Sequence, residues 1–294
     1  PPLRSPITGV SVDSRSVRRG DLFVALCGER FDGHEYVSDA LAAGACGAVV
    51  SAERNVAGMS EIQRQGWSDV IYAVDNPLLA LGRMARAVRR RSRAVVIAVT
   101  GSVGKTGTKD LIRAMAGMER VVLATESNLN NEIGVPLTLL QIERPTEVVV
   151  VEMGMRGIGQ IAYLADVAEP DVGVITNVAP VHLELLGSLE NVAQAKAELL
   201  MRLKTAGAGV VPAHCPPLEP WVERCNRRVV RFSLCDARDG TESVVVAGGR
   251  LGDVVGRTTA CDVGRCLLTI TWPDGEAEAI TPFAARYRLE NAVA

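Results

Sequence analysis

Two glycines three residues apart, followed at once by a lysine and a hydroxyl, are the residue types that hold a polyphosphate. The stretch Thr100-Gly101-Ser102-Val103-Gly104-Lys105-Thr106-Gly107 supplies them in that order. Backbone without a Cβ lets N–H groups approach an anion, and a helix beginning there adds partial positive charge. Lys105 is then placed to meet terminal phosphate oxygens, and the Thr106 hydroxyl to ligate Mg²⁺. Gly101, Ser102, Val103, Gly104, Lys105, Thr106 and Gly107 are the candidate ATP-phosphate residues. The longer form of this motif has a further glycine where Val99 stands, so the pattern here is the shorter one. The competing reading is a glycine-rich turn with a solvated lysine.

Four more places carry chemistry-bearing side chains. Val148-Val149-Val150-Val151-Glu152 is an apolar run closed by a carboxylate, the position of a second Mg²⁺-directed group in a nucleotide-hydrolysing site; a solvated strand-end glutamate is the alternative. His182 follows Val174-Ile175-Thr176-Asn177-Val178-Ala179-Pro180-Val181 and is one of only three histidines. It is either a site residue or an ordinary surface or core histidine. Lys196 has Val192, Ala193, Leu199 and Leu200 as helical neighbours, so it projects from an apolar face. A lysine there snorkels to water, or is paired or chemically modified in a site. Asn128-Leu129-Asn130-Asn131 precedes a helical pattern, and its asparagines serve as helix caps or as ligands for anionic and sugar oxygens.

The elements that would position these groups follow from periodicity. Strands are expected at 94–99, 121–124, 147–152, 172–176 and 208–211, and helices at 105–117, 131–141, 158–167 and 189–204. This alternation predicts a mostly parallel sheet with helices on both faces, and ligands then sit beyond the carboxyl ends of the strands. Earlier in the chain, strands at 22–26, 48–50 and 70–74 with a helix at 36–43 make a small α/β unit. Asn76-Pro77 marks a break. Beyond residue 225 the texture changes. Strands at 229–233, 243–246 and 267–272, with turns at Asp239-Gly240 and Pro273-Asp274-Gly275, predict an antiparallel β appendage, and a last helix begins at 287. The expected organisation is an N-terminal α/β domain over 1–77, a linker helix over 78–93 and a central P-loop NTPase-like domain over 94–294.

The 294 residues are 48% hydrophobic and 22% charged, with a formal net charge of −2, a globular balance that favours neither nucleic acid nor an anionic membrane. No apolar run reaches the length of a membrane span. Seven cysteines without a C-x-x-C pair read as free thiols of a reducing cytoplasm.

Taken in order, several blocks resemble the Mur ligases, ATP-dependent enzymes that build the peptide of peptidoglycan precursors. T-G-S-V-G-K-T-G-T-K is similar to the family's phosphate loop. N-L-N-N-E-I-G-V-P, V-V-E-M-G-M and I-T-N-V-A-P-V-H-L-E-L-L-G-S-L-E-N-V-A-Q-A-K-A-E-L resemble its next three blocks, and V-D-S-R-S-V-R-R-G-D-L-F-V-A-L-C-G-E-R-F-D-G-H its N-terminal uridine-binding domain. N-N-E-I-G-V-P and Lys109 are most similar to the member that adds D-Ala-D-Ala to UDP-N-acetylmuramoyl-tripeptide; the member adding the third residue, or a shortened homologue without complete activity, are the alternatives.

The resemblance implies a cytoplasmic, monomeric ligase using ATP and Mg²⁺. Lys105 would hold the ATP phosphates and Thr106 a Mg²⁺. Glu152 would bind Mg²⁺, His182 a second Mg²⁺, and Lys196 would be carbamylated to orient a metal. Asn130 and Asn131 would lie by the phosphates and the muramoyl substrate, Asp13, Ser14 and Arg15 by the uridine nucleotide, and Asn291 by the adenosine. Two departures stand out. Gly107 replaces the family's usual Thr, Ser or Val, and Ala285 to Asn291 keeps only the last asparagine of the closing motif. The family's C-terminal domain, which brings the amine, is expected to be missing from these residues, leaving them inactive alone.

Overall fold

The computed structural model describes residues 6–28, 31–181, 183–236, 254–262, 265–281 and 292–294. In chain order its elements begin with β1 (Gly9–Ser11), β2 (Asp21–Val24), α1 (Val37–Ala42), β3 (Gly47–Ser51), α2 (Met59–Arg64), β4 (Ile71–Val74) and α3 (Pro77–Arg91). Next come β5 (Val95–Thr100), α4 (Lys105–Ala116), β6 (Val122–Ala124), α5 (Gly134–Leu139), β7 (Val148–Glu152), α6 (Gln160–Ala168) and β8 (Val172–Ile175). The chain continues through α7 (Leu183–Leu186), α8 (Leu189–Met201), β9 (Ala208–Pro212), α9 (Glu219–Arg224), β10 (Arg228–Asp236), β11 (Val254–Asp262), β12 (Arg265–Trp272) and β13 (Gly275–Thr281). The expected strand at 243–246, the turn at Asp239-Gly240, the motif at 285–291 with Asn291, all but the last three residues of the helix at 287–294, and His182 lie outside the described residues.

The chain forms two compact units, residues 1–91 with 132–142, and residues 92–131 with 143–294. The first is built on a parallel sheet in the order β1-β2-β3-β4. Side-chain alternation divides its core. Phe23, Ala25, Ala48 and Val50 join α1 and α2 residues such as Val37, Leu41 and Ile62 on one face. Leu22, Val24 and Val49 pack with Leu78, Leu81 and Met84 of α3 on the other. Both faces are covered, so the strands read as continuous apolar runs rather than alternating ones. Asn76 caps α3, its side-chain oxygen accepting the Leu79 N–H at 3.0 Å, with Pro77 at the first helical position. The break expected at Asn76-Pro77 is thus a helix start. The 78–93 helix packs in the core of this unit, and so does the helix expected at 131–141: Ile133, Leu137 and Leu140 flank the same apolar cluster. β1 and α2, which sequence periodicity does not announce, complete it.

The second unit holds a nine-stranded sheet in the order β13-β12-β11-β10-β9-β8-β5-β7-β6. Pairing is parallel from β6 through β11 and antiparallel across β11, β12 and β13. The expected appendage is therefore an extension of the one sheet: β10 pairs parallel with β9, and only the last three strands alternate in direction. The two-residue turn Pro273-Asp274 closes the β12–β13 hairpin, with Trp272 opposite Gly275. Val149, Val150 and Val151 of β7 and Val96, Ala98 and Val99 of β5 are fully buried, as expected of strands sandwiched between helix layers. β5 lies between β8 and β7, the chain leading from β5 toward β6 on one side and from β8 toward β9 on the other, and the carboxyl ends of these strands open on the loops that carry the site.

Candidate nucleotide-phosphate site

β5 ends at Thr100 and α4 begins at Lys105, so residues 101–104 must turn the chain tightly. Gly104 does this at φ +87°, in the left-handed region, and no side chain caps the helix behind it. The first helical bond is Thr108 N–H to the Gly104 carbonyl at 2.9 Å. The N–H groups of Gly104, Lys105, Thr106 and Gly107 form no hydrogen bond among the described residues, and these four residues line a cleft of about 490 Å³ together with Ser127, Asn128, Asn130 and Glu152. A helix N-terminus with its donors open on a cleft is an arrangement that suits an anion.

The acidic wall of the cleft is fixed from several sides. Glu152 is 2% exposed at the end of β7. Thr106 Oγ1 donates to Glu152 Oε2 at 2.8 Å, and Asn130 Nδ2 donates to Oε1 at 2.8 Å. The Glu152 N–H is held by Thr125 Oγ1 at 3.1 Å, and Lys109 Nζ donates to the Thr125 carbonyl at 2.9 Å. Buried Lys109 thus braces the β6 end, while its ammonium also pairs with Asp110 at 2.9 Å. Ser127, in the loop 125–131, has φ +48°, a left-handed conformation uncommon for a serine and found here on the cleft wall. Thr106 and Glu152 present adjacent hard oxygen donors, a pair that fits an oxygen-seeking divalent cation. No group of three His, Cys, Asp or Glu side chains suited to a metal occurs among the described residues.

The basic groups behave differently. Lys105 Nζ donates to the Gly101 carbonyl at 2.9 Å; burial lowers its pKa, and the Glu152 carboxylate works in the opposite direction. Lys196, on α8, is 2% exposed and forms no hydrogen bond or ion pair among the described residues. Burial first, and the nearby Lys105 charge second, pull its pKa down to about 7. The structure therefore joins Thr106, Glu152 and Asn130 by hydrogen bonds on one cleft that Lys105 also lines, with Lys196 within electrostatic range of Lys105. Asn131 is exposed and outside the lining of that cleft. Asp13, Ser14 and Arg15 belong to the first unit, in a turn after β1. There Asp13 Oδ1 accepts the Arg15 N–H at 3.0 Å, the guanidinium meets Oδ2 at 2.6 Å, and this pairing holds the Asp13 carboxyl at about 2.

Sequence reasoning passed over Thr125, Thr176 and Asn177. Asn177 Oδ1 accepts from the N–H groups of Ser102 and Val103, both at 3.0 Å. The available signal was its place, directly beyond a buried strand at the carboxyl edge of the sheet.

Two family models cover most of the chain: the Mur ligase family catalytic domain over residues 6–94 and the Mur ligase middle domain over residues 99–294. A UDP-N-acetylmuramoyl-tripeptide–D-alanyl-D-alanine ligase of Synechocystis is 47% identical over 180 residues, 61% of this chain and 38% of that protein. The ligase of the same name from Mycobacterium tuberculosis H37Rv is 36% identical over 98% of this chain and 56% of that protein. The crystal structure of the MurF ligase of Thermotoga maritima in complex with ADP superposes with a TM-score of 0.81 at 30% identity, covering 98% of this chain and 61% of that one. The chain thus spans little more than half the length of the relatives it matches end to end.

Proposed function

The chain belongs to the Mur ligase family, and we propose that it forms the nucleotide-handling part of a ligase that joins D-Ala-D-Ala to UDP-N-acetylmuramoyl-tripeptide at the expense of ATP. The observation that carries this reading is the cleft in which free helix N–H groups, Lys105, Thr106 and Glu152 converge. The ADP in the Thermotoga complex and the names of the relatives matched over nearly the whole chain support the same chemistry.

In this reading the carboxylate of the muramoyl peptide attacks the γ-phosphate of ATP, releasing ADP and leaving an acyl phosphate. The N–H groups of residues 104–107 bind phosphate oxygens, and the Lys105 ammonium offsets the charge that grows on them. An anion beside it also restores the protonated form that burial disfavours. Thr106 and Glu152 would hold Mg²⁺, which supplies further neutralisation when bound; Asn130 keeps the Glu152 carboxylate in its plane. The amine of D-Ala-D-Ala then adds to the acyl carbon, and inorganic phosphate leaves from the tetrahedral intermediate.

Lys196 gains a role from its lack of a partner. An amine with pKa about 7 is substantially neutral at physiological pH, and a neutral amine adds CO₂ to give a carbamate and one proton. The new carboxylate would convert a buried cation beside Lys105 into an anion able to orient a metal. Asp13, Ser14 and Arg15 would meet the uridine nucleotide, and a cytoplasmic location follows from the nucleotide substrates. The test is ATP-dependent coupling of UDP-N-acetylmuramoyl-tripeptide to D-Ala-D-Ala by these residues alone and by protein that also carries the family's C-terminal domain, followed by ADP release and by mass of the pentapeptide product. Product with D-Ala-D-Ala but not with a single amino acid supports this member; coupling of a single amino acid to the dipeptide precursor would replace it with the third-residue ligase.

A further inference from the structure

The backbone from Ser102 to Gly107 offers six consecutive N–H groups, and the fold divides them. The first two are spent on the protein itself. Asn177 Oδ1 accepts from Ser102 N–H at 3.0 Å and from Val103 N–H at 3.0 Å, and the Asn177 carbonyl accepts the same Ser102 N–H at 3.2 Å. Only the oxygen of the amide can accept, so these two contacts also fix which way the side chain points. The neighbouring groups tighten the same junction. Thr176 Oγ1 donates to the Val103 carbonyl at 2.6 Å. Ser102 Oγ donates to the Ala179 carbonyl and accepts the Ala179 N–H, both at 2.9 Å. The approach is so close that a Cβ at Gly101 would lie 1.9 Å from Thr176 Oγ1, which accounts for that glycine. The other four N–H groups, from Gly104 to Gly107, have no partner among the described residues and face the cleft.

We infer that Asn177 is a positioning residue for phosphate transfer: it latches the first half of the phosphate loop to the end of β8, so that only the second half presents donors to the nucleotide. The inference rests on the reading that this loop binds nucleotide phosphate. Its physical content is preorganisation. β8 pairs directly with β5, Thr100 opposite Ile175, so the latch joins the ends of two adjacent strands of a rigid sheet. An unlatched glycine-rich loop would present six mobile donors, and the ligand would bear the cost of ordering them. With the latch closed, four donors and the Lys105 ammonium are already aimed.

The test uses Asn177→Ala and Asn177→Asp, with calorimetric titration of ATP in the presence of Mg²⁺ and hydrogen exchange of the loop amides without nucleotide. Asn177→Ala is expected to weaken ATP at least about tenfold, about 1.4 kcal/mol, and to expose the Val103 amide, which only the side chain holds, to exchange while the melting temperature stays near that of the wild type. Asn177→Asp keeps an acceptor oxygen in the same place and is expected to restore protection of the Val103 amide. In the coupling reaction the KM for ATP should rise in the alanine variant while the KM for the UDP-linked substrate does not. Asn177→Ser, too short to span both N–H groups, replaces the alanine variant if that one fails to fold, with the same expected losses. Unchanged ATP affinity, or a Val103 amide that stays protected without the Asn177 side chain, would overturn the inference. Wild-type protein with no saturable ATP binding, indistinguishable from Lys105→Ala, would instead overturn the nucleotide reading and remove the basis for the latch.

Discussion

The turn at Asp13–Arg15 and the loop at Gly101–Gly107 both follow a parallel strand and both carry charge, yet they treat it in opposite ways. In the first, the charges cancel locally: Asp13 caps its own turn and pairs with Arg15, whose side chain is 87% exposed. In the second, the groups line a cleft and some are left over. Four backbone donors have no partner among the described residues, and Lys196 has none for its ammonium. Buried polar groups are ordinarily satisfied, because an unpaired one costs roughly 1–3 kcal/mol. By that measure the buried Lys196 amine is where a modification would complete the structure, while the helix donors open on the cleft. Two buried lysines of the same unit make the point sharper. Lys109 spends its ammonium on the Thr125 carbonyl and Asp110 and acts as a strut; Lys196 spends nothing and is the chemically available one.

The comparison breaks most directly at Lys105. Lys105→Ala should lower ATP turnover by roughly 10³-fold, the scale of losing one charge aimed at developing phosphate charge, with circular dichroism unchanged. A variant that keeps most of its turnover would reduce the loop to a turn. Lys196→Ala comes next, with an expected loss of roughly 10²-fold in ligation by the same electrostatic argument. Added short carboxylic acids should recover part of it by filling the vacated space, and mass spectrometry of gently handled wild-type protein should show one extra carboxyl group on this lysine. An unmodified lysine together with a fully active alanine variant would reject the carbamate.

Asn130→Ala removes one of the two side-chain hydrogen bonds that orient Glu152. Mg²⁺ affinity, read from the metal dependence of turnover, should fall about 10-fold to 100-fold, as for other supports of metal ligands. An unchanged metal dependence would mean that Thr106 alone suffices.

Lys196 also predicts a pH dependence of stability. Its folded pKa, about 7, lies below the ordinary lysine value of 10.5, so between these the unfolded chain binds more protons and stability rises with pH. Below pH 7 both states carry the proton, and the fold bears the full cost of a buried charge. In CO₂-free buffer, the wild type should gain a few kcal/mol between about pH 7 and 10.5 relative to Lys196→Met. Parallel denaturation curves for the two across that range would show that the amine reaches water. The smallest effect belongs to the exposed turn: Arg15→Ala should leave the melting temperature unmoved. If it weakens the UDP-linked substrate nonetheless, Arg15 serves the ligand rather than the fold. If it weakens nothing, the turn is only a turn.

What the sequence determines by itself is whatever local pattern encodes. The strand–glycine loop–helix run at 95–116 is legible because buried parallel strands are continuous apolar runs and because only glycine suits Gly104's positive φ. Glu152 and Lys196 are legible from their neighbours, a carboxylate closing four valines and a lysine on an apolar helical face. The domain membership of 132–142 is not, since a helix's apolar stripe does not say which sheet it will cover, and Ile133, Leu137 and Leu140 join the core of the first unit. The β10–β13 region is legible as strands, but whether they stand apart or extend the main sheet depends on pairing between residues 208–212 and 228–232, which no local signal specifies. Asn177 is the clearest case. Its amide reads as an ordinary loop residue until β5 and β8, 75 residues apart in sequence at the contact, lie side by side and place its oxygen between two N–H groups. Pattern fixes which side chains are buried and which turns are tight; only the assembled sheet decides which hydrogen-bonding groups find each other and which are left for a ligand.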